Sequence, residues 1–137
     1  MQKKTLNILM VEDNAGDVYM VREALDEIGF PYALDVVTDG STALDFLGRN
    51  DEEKPDLIIL DLNLPGKNGR QVLAEIQATP RLRRLPVAVL STSWSESEIG
   101  KEFPRLCSMF ASKTSDFRRL IDIIKRFRSF AEQHAEA

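Results

Sequence analysis

Three features of the 137-residue sequence predict a doubly wound α/β fold, (βα)5, with a five-stranded parallel sheet and helices on both of its faces. Short apolar runs alternate with stretches of helical apolar spacing. Leu57-Ile58-Ile59-Leu60 and Val87-Ala88-Val89-Leu90 are apolar at every position, as strands covered on both faces must be. The runs end in acidic or hydroxyl residues, and right-handed crossovers bring all of those ends to one edge of the sheet.

The first strand is Leu6 to Val11, closed by Glu12, Asp13 and Asn14. From Asp17 onward Val18, Val21, Leu25 and Ile28 recur every three or four residues, and Gly29-Phe30-Pro31 stops that helix. A second strand, Ala33 to Val37, ends at Thr38-Asp39-Gly40, and Ala43, Leu44 and Leu47 mark a short helix closed by Gly48. The third strand is Leu57 to Leu60, followed by Asp61, a Leu64-Pro65-Gly66 turn and a helix carrying Val72, Leu73 and Ile76. Val87 to Leu90, between Pro86 and Ser91-Thr92-Ser93, is the fourth strand, with a weak helix expected at about Glu96 to Phe103. Cys107 to Ala111 reads as the fifth strand. Ser115 or Asp116 then caps a long last helix with Phe117, Leu120, Ile121, Ile124 and Phe127, expected to fray after about Ser129.

Length allows one core and leaves little room for a second, so residues 1–137 read as a single domain with its core at about 5–130. Hydrophobic residues make up 43% and charged residues 29%, a globular balance that argues against extended disorder. A net charge of −4 gives no general attraction to phosphate backbones or anionic lipid. Met1-Gln2-Lys3-Lys4 lacks the apolar core of a signal peptide, and the apolar runs are far too short to span a bilayer. With the single Cys107 unable to form an internal disulfide, a cytoplasmic location without membrane contact is expected.

Ligands of doubly wound sheets bind at the carboxyl ends of the strands. Glu12 and Asp13 end the first strand, Asp61 the third and Ser91 and Thr92 the fourth, while Ser112 and Lys113 follow the fifth. Carboxylates converging there repel one another unless a cation lies between them, and an all-oxygen set with room for water suits Mg²⁺. Asp61 directly follows a buried strand, so its backbone is fixed while its carboxylate projects as a nucleophile able to form an aspartyl phosphate. Lys113 would supply positive charge to the transferred phosphoryl oxygens, and the Ser91 hydroxyl a hydrogen bond.

These residues resemble the receiver domains of two-component response regulators: Glu12-Asp13, Asp61 with Leu64-Pro65-Gly66, Ser91-Thr92 and Lys113. The separations, 30 residues from Asp61 to Ser91 and 22 from Ser91 to Lys113, are similar to those of receivers without insertions. The resemblance implies a flavodoxin-like fold with strand order 2-1-3-4-5, and a phosphoryl group passed to Asp61 from a sensor histidine kinase. It also implies Mg²⁺ held by Glu12, Asp13, Asp61 and the Asn63 backbone carbonyl. Ser91 and Phe110 become switch residues by the same resemblance, although Phe110 fits plain core equally well. Asn63 and Ser93 are expected to tune phosphate lifetime. Thr114 stands where the family usually has a cis proline after its lysine. A cis bond before a non-proline residue costs about 3 kcal/mol, which leaves the Lys113–Thr114 geometry open. The Leu90-to-Ser93 strand end and the Asp51-to-Lys54 loop further resemble the small regulators paired with bacterial phytochromes.

No output domain is expected, so the signal would leave through a changed surface, dimerisation or phosphate relay. Ile123, Phe127 and Phe130 widen the apolar arc of the last helix beyond what one sheet face should cover, which predicts a homodimer surface there. Arg118, Arg119, Lys125, Arg126 and Arg128 make that helix basic, but the acidic remainder and the lack of a reading helix argue against nucleic acid. Aspartyl-phosphate phosphohydrolases, the rival class, carry a second acid two residues after the nucleophile, where this chain has Asn63. A pseudo-receiver that only binds protein would have lost a required side chain, and none is missing. The chain thus reads as a phosphoryl acceptor rather than a substrate-turnover enzyme.

Overall fold

The structure is a computed structural model and describes residues 5–48, 54–66, 68–92, 101–102 and 109–136. Its elements are β1 (Leu6–Val11), α1 (Ala15–Ile28), β2 (Tyr32–Val37), α2 (Gly40–Gly48) and β3 (Leu57–Leu60). These are followed by α3 (Gly69–Ala78), β4 (Val87–Ser91), β5 (Phe110–Ser112) and α4 (Phe117–Glu136). All strand pairs are parallel and the order is β2-β1-β3-β4-β5, the doubly wound, flavodoxin-like arrangement expected from the sequence.

Strand pleating divides the apolar runs between two cores. Leu9, Val11, Ile58, Leu60, Val87 and Val89 pack with α2 and α3 on one face. Ile8, Met10, Leu57, Ile59, Ala88 and Leu90 pack with α1 and α4 on the other. Every residue of β3 and β4 is buried, which explains why these strands carry no polar alternation.

Caps fix where the helices begin. α1 starts at Ala15, ahead of Asp17, because the Asn14 side chain accepts a hydrogen bond from Asp17 N; Gly29 closes it at φ 83°, in the left-handed region that glycine adopts without strain. Asp39 accepts from both the backbone nitrogen and the hydroxyl of Thr42 at the start of α2. Asn68 and Gln71 form a reciprocal capping box on α3.

Three sequence expectations need correction. β5 runs from Phe110 through Ser112, so among the described residues Met109, expected within the strand, lies outside it, and Ser112, expected after it, lies inside. α4 continues to Glu136 instead of fraying at Ser129: Ala131 is buried, the Phe130 and His134 rings lie 4.5 Å apart, and Arg128 pairs with Glu132 at 2.8 Å. Ile123 and Phe127 do not face outward. Both are buried in the core that α4 shares with α1 and the sheet, because the helix packs against two neighbours and so needs an arc wider than one sheet face requires. Phe130, partly buried at the edge of that core, retains some outer surface. Of the helix expected at Glu96 to Phe103, only Lys101 and Glu102 are described, and they are helical; Ser93 and Cys107 lie outside the described residues. Among the described residues no helix is long and apolar enough to cross a membrane.

Candidate functional site

The carboxyl edge of the sheet is held by hydrogen bonds that run one residue past the strands. Glu12 N donates to Val37 O at 3.0 Å, Asp61 N to Val11 O at 3.1 Å and Lys113 N to Ser91 O at 3.2 Å. Each bond fixes the backbone of a polar residue at the point where the chain leaves the core. The side chains of Glu12, Asp61 and Lys113 consequently enter a common cleft of about 840 Å³, also lined by Asp13, Asn63 and Thr92.

Asp61, only 4% exposed, has both carboxylate oxygens engaged. Oδ1 accepts from Ser91 Oγ at 2.9 Å and from Asn63 N at 3.1 Å. Oδ2 accepts from Lys113 Nζ at 3.0 Å. The same Nζ reaches Glu12 Oε1 and Asp17 Oδ2, each at 2.7 Å. Burial pushes the Glu12 carboxyl up to about 7 from 4.5, reinforced by the Asp61 charge and opposed by the Lys113 bond. For Lys113 burial acts downward, but the bonds to Asp17, Glu12 and Asp61 outweigh it and raise the ammonium above its ordinary value. The Lys113–Thr114 bond, left open by the sequence, is trans.

Glu12, Asp13 and Asp61 each offer an oxygen within 4.8 Å of the others. One lysine cannot balance three converging carboxylates, and an all-oxygen donor set beside open solvent fits a hard divalent cation. The site thus unites Glu12, Asp13, Asp61, Asn63 and Lys113, with Ser91 buried behind Asp61. Phe110 stands apart: it is buried on the α2–α3 side of the sheet, paired in register with Val89.

Two residues escaped the sequence reading. Asp17 was legible only as a helix start, yet its carboxylate bonds to Lys113; its place one helical turn after Asp13 was the available signal. Gly69 was not distinguished at all. A Cβ there would collide with the Leu62 Cα and the Asp61 carbonyl, so only glycine lets the start of α3 close against the segment that carries Asp61.

An aspartate held between a lysine and a hydroxyl at this edge of a doubly wound sheet is the arrangement of a phosphoryl-accepting signalling domain. The comparisons agree: the profile of the response regulator receiver domain matches residues 8–125, and the chain belongs to that family. It is 37% identical over 127 residues to the response regulator Rcp1 of Synechocystis sp. (strain ATCC 27184 / PCC 6803 / Kazusa), covering 90% of this chain and 86% of that protein. Among solved structures it is similar to the phosphorylated cyanobacterial phytochrome response regulator RcpA, with a TM-score of 0.78, 39% identity, and 93% and 94% of the two chains covered. The Mn²⁺-bound form of Rcp1 gives a TM-score of 0.77 at 36% identity, with 91% and 93% covered. The chain is therefore a response regulator receiver of two-component signalling, homologous to phytochrome response regulators, with an acidic cluster compatible with a metal-dependent phosphoacceptor site.

Proposed function

We propose that Asp61 accepts the phosphoryl group of a sensor histidine kinase, and that the resulting rearrangement at Ser91 is the signal a further protein reads. The observation that carries this is the convergence of Ser91 Oγ, Asn63 N and Lys113 Nζ on one buried carboxylate. An Asp61 oxygen attacks phosphorus, the phosphorus–nitrogen bond breaks with its electron pair left on the imidazole, and that nitrogen takes a proton. Lys113 and Ser91 then have a phosphoryl group where they had a carboxylate, and their donors follow the charge. The hydroxyl shift would open space toward β5 and let Phe110 repack, while Asn63, which lines the cleft beside Asp61, would govern how water reaches the acyl phosphate, the lifetime role that Ser93 is proposed to share.

Glu12, Asp13, Asp61 and the Asn63 carbonyl would hold the cation, for which Mg²⁺ is proposed; when bound it neutralises charge on the transferred group. Residues 1–137 act as one receiver domain and a stoichiometric phosphoryl acceptor, for which a cytoplasmic location and no nucleic-acid partner are proposed. A phytochrome-type kinase is the proposed donor, supported by the phytochrome response regulator RcpA among the similar structures. Any homodimer through α4 is assigned to the outer arc around Phe130, Lys125 and Ser129, which border a shallow groove, and not to the buried Ile123 and Phe127.

The test is acetyl phosphate with Mg²⁺, read by intact mass. Wild type should gain one phosphoryl adduct and Asp61→Asn none. An adduct that survives Asp61→Asn, or a wild type that never gains one, would sink the assignment.

A further inference from the structure

A lysine ammonium has three donors. In Lys113 all three are used, on Glu12 Oε1 and Asp17 Oδ2 at 2.7 Å each and on Asp61 Oδ2 at 3.0 Å. Glu12 and Asp61 belong to the acidic triad that the proposed function assigns to the metal and the phosphoryl group. Asp17 does not. Of the three partners of Lys113 it alone lies outside the groups assigned to the metal and the phosphoryl group.

The position of Asp17 is itself fixed. Its backbone nitrogen donates to Asn14 Oδ1 at 3.0 Å, and Asn14 N donates to Glu12 Oε2 at 3.2 Å. With the two Lys113 bonds these form a closed ring through Glu12, Asn14, Asp17 and Lys113. The ring ties the ammonium to the first turn of α1 and not only to the acids that must change partners. The Asp17 side chain is 37% exposed and that of Lys113 16%, so this contact lies at the mouth of the cleft, where the ammonium would otherwise turn toward water.

We infer that Asp17 is the positioning residue of Lys113. It holds the ammonium above Asp61 once the metal and phosphoryl group have claimed Glu12 and Asp61, so that the freed donors point at phosphoryl oxygens. The inference rests on the phosphoacceptor reading and adds to it a named origin for the lysine's orientation. An acid in the first turn of α1 also favours the helix dipole, but that effect is indifferent to whether Lys113 is present.

A double-mutant cycle separates the two roles. Beryllofluoride affinity in Mg²⁺ is measured for wild type, Asp17→Ala, Lys113→Ala, the double variant and Asp61→Asn. Asp17→Ala should weaken binding about tenfold with Lys113 present and less than about twofold in the Lys113→Ala background. Asp17→Asn, which keeps an acceptor in place, should recover part of the loss. A second readout is the Lys113 side-chain ¹⁵N resonance of the beryllofluoride complex, sharp in wild type and exchange-broadened in Asp17→Ala. Equal losses in both backgrounds, no loss, or an unchanged resonance overturns the inference while wild type still binds and Asp61→Asn does not. A wild type that fails to bind beryllofluoride overturns it together with the phosphoacceptor reading.

Discussion

Ser91 Oγ donates a 2.9 Å hydrogen bond to Asp61 Oδ1 across two adjacent strands. The hydroxyl is fully buried, so it is oriented by the sheet and not by solvent. Oδ1 thus faces neutral donors while Oδ2 faces the Lys113 cation, and the two oxygens of one carboxylate stand in different fields.

Ser91→Ala removes one of the two donors on Oδ1 while leaving β4 apolar and continuous. A hydrogen bond to a charged acceptor is worth about 1.5–3 kcal/mol. The variant should still be phosphorylated by acetyl phosphate, at a rate reduced about tenfold or more. Ser91→Thr, which retains the hydroxyl, should stay near wild type. Rates that are equal for Ser91→Ala and wild type would show that the hydroxyl has no part in the transfer.

Metal binding should depend on pH through Glu12. Its folded-state value of about 7 lies above the 4.5 of an unperturbed carboxyl, so between those limits the metal-free folded protein holds a proton that the unfolded chain has released. Metal-free stability therefore falls as pH rises from 4.5 through 7, by at most about 1.4 kcal/mol per unit. A divalent cation must displace that proton, so its apparent affinity should weaken up to about tenfold per unit as pH drops below 7. Calorimetric titration with Mg²⁺ at pH 6 and pH 8 measures this, and Glu12→Gln should flatten the dependence.

Much of this was legible in the sequence because parallel strands buried on both faces leave unbroken apolar runs, and the first polar residue after each run has to emerge at one edge. That logic placed Glu12, Asp61, Ser91 and Lys113 without reference to contacts. It could not place Asp17 on Lys113, since 96 residues separate them and no local pattern encodes the approach. Nor could it predict how wide an apolar arc α4 needs: the helical spacing of Ile123 and Phe127 is visible in sequence, but the second surface they pack against, α1, is not.

Gly69→Ala should disturb the site although the residue touches no ligand. The added Cβ would press on two backbone groups, the Leu62 Cα and the Asp61 carbonyl, neither of which can rotate away. Forcing such overlap costs about 1–3 kcal/mol, and relief requires moving the Asp61 segment or the start of α3. A lower melting temperature together with weaker beryllofluoride binding is expected. Gly66, whose φ of 67° is left-handed but whose Cβ position is open, is the control: its alanine variant should lose stability through backbone strain alone.

Phe127 distinguishes a core residue from a partner surface. It is 1% exposed and packs in the cluster that contains Val21, Ala24 and Leu25 of α1 and Ile124 of its own helix. Truncation to alanine leaves a cavity between α4, α1 and the sheet that close-packed neighbours fill only partly, which costs about 3–5 kcal/mol. Chemical denaturation of Phe127→Ala should show a much lower midpoint with an unchanged slope, since the surface exposed on unfolding is nearly the same. Light scattering of the variant below its transition should give the wild-type mass. A residue at an exposed dimer surface would behave in the opposite way, with little change in monomer stability and loss of the dimer. An unshifted midpoint would therefore move Phe127 out of the core and restore the outward-facing arc that the helical spacing alone suggested.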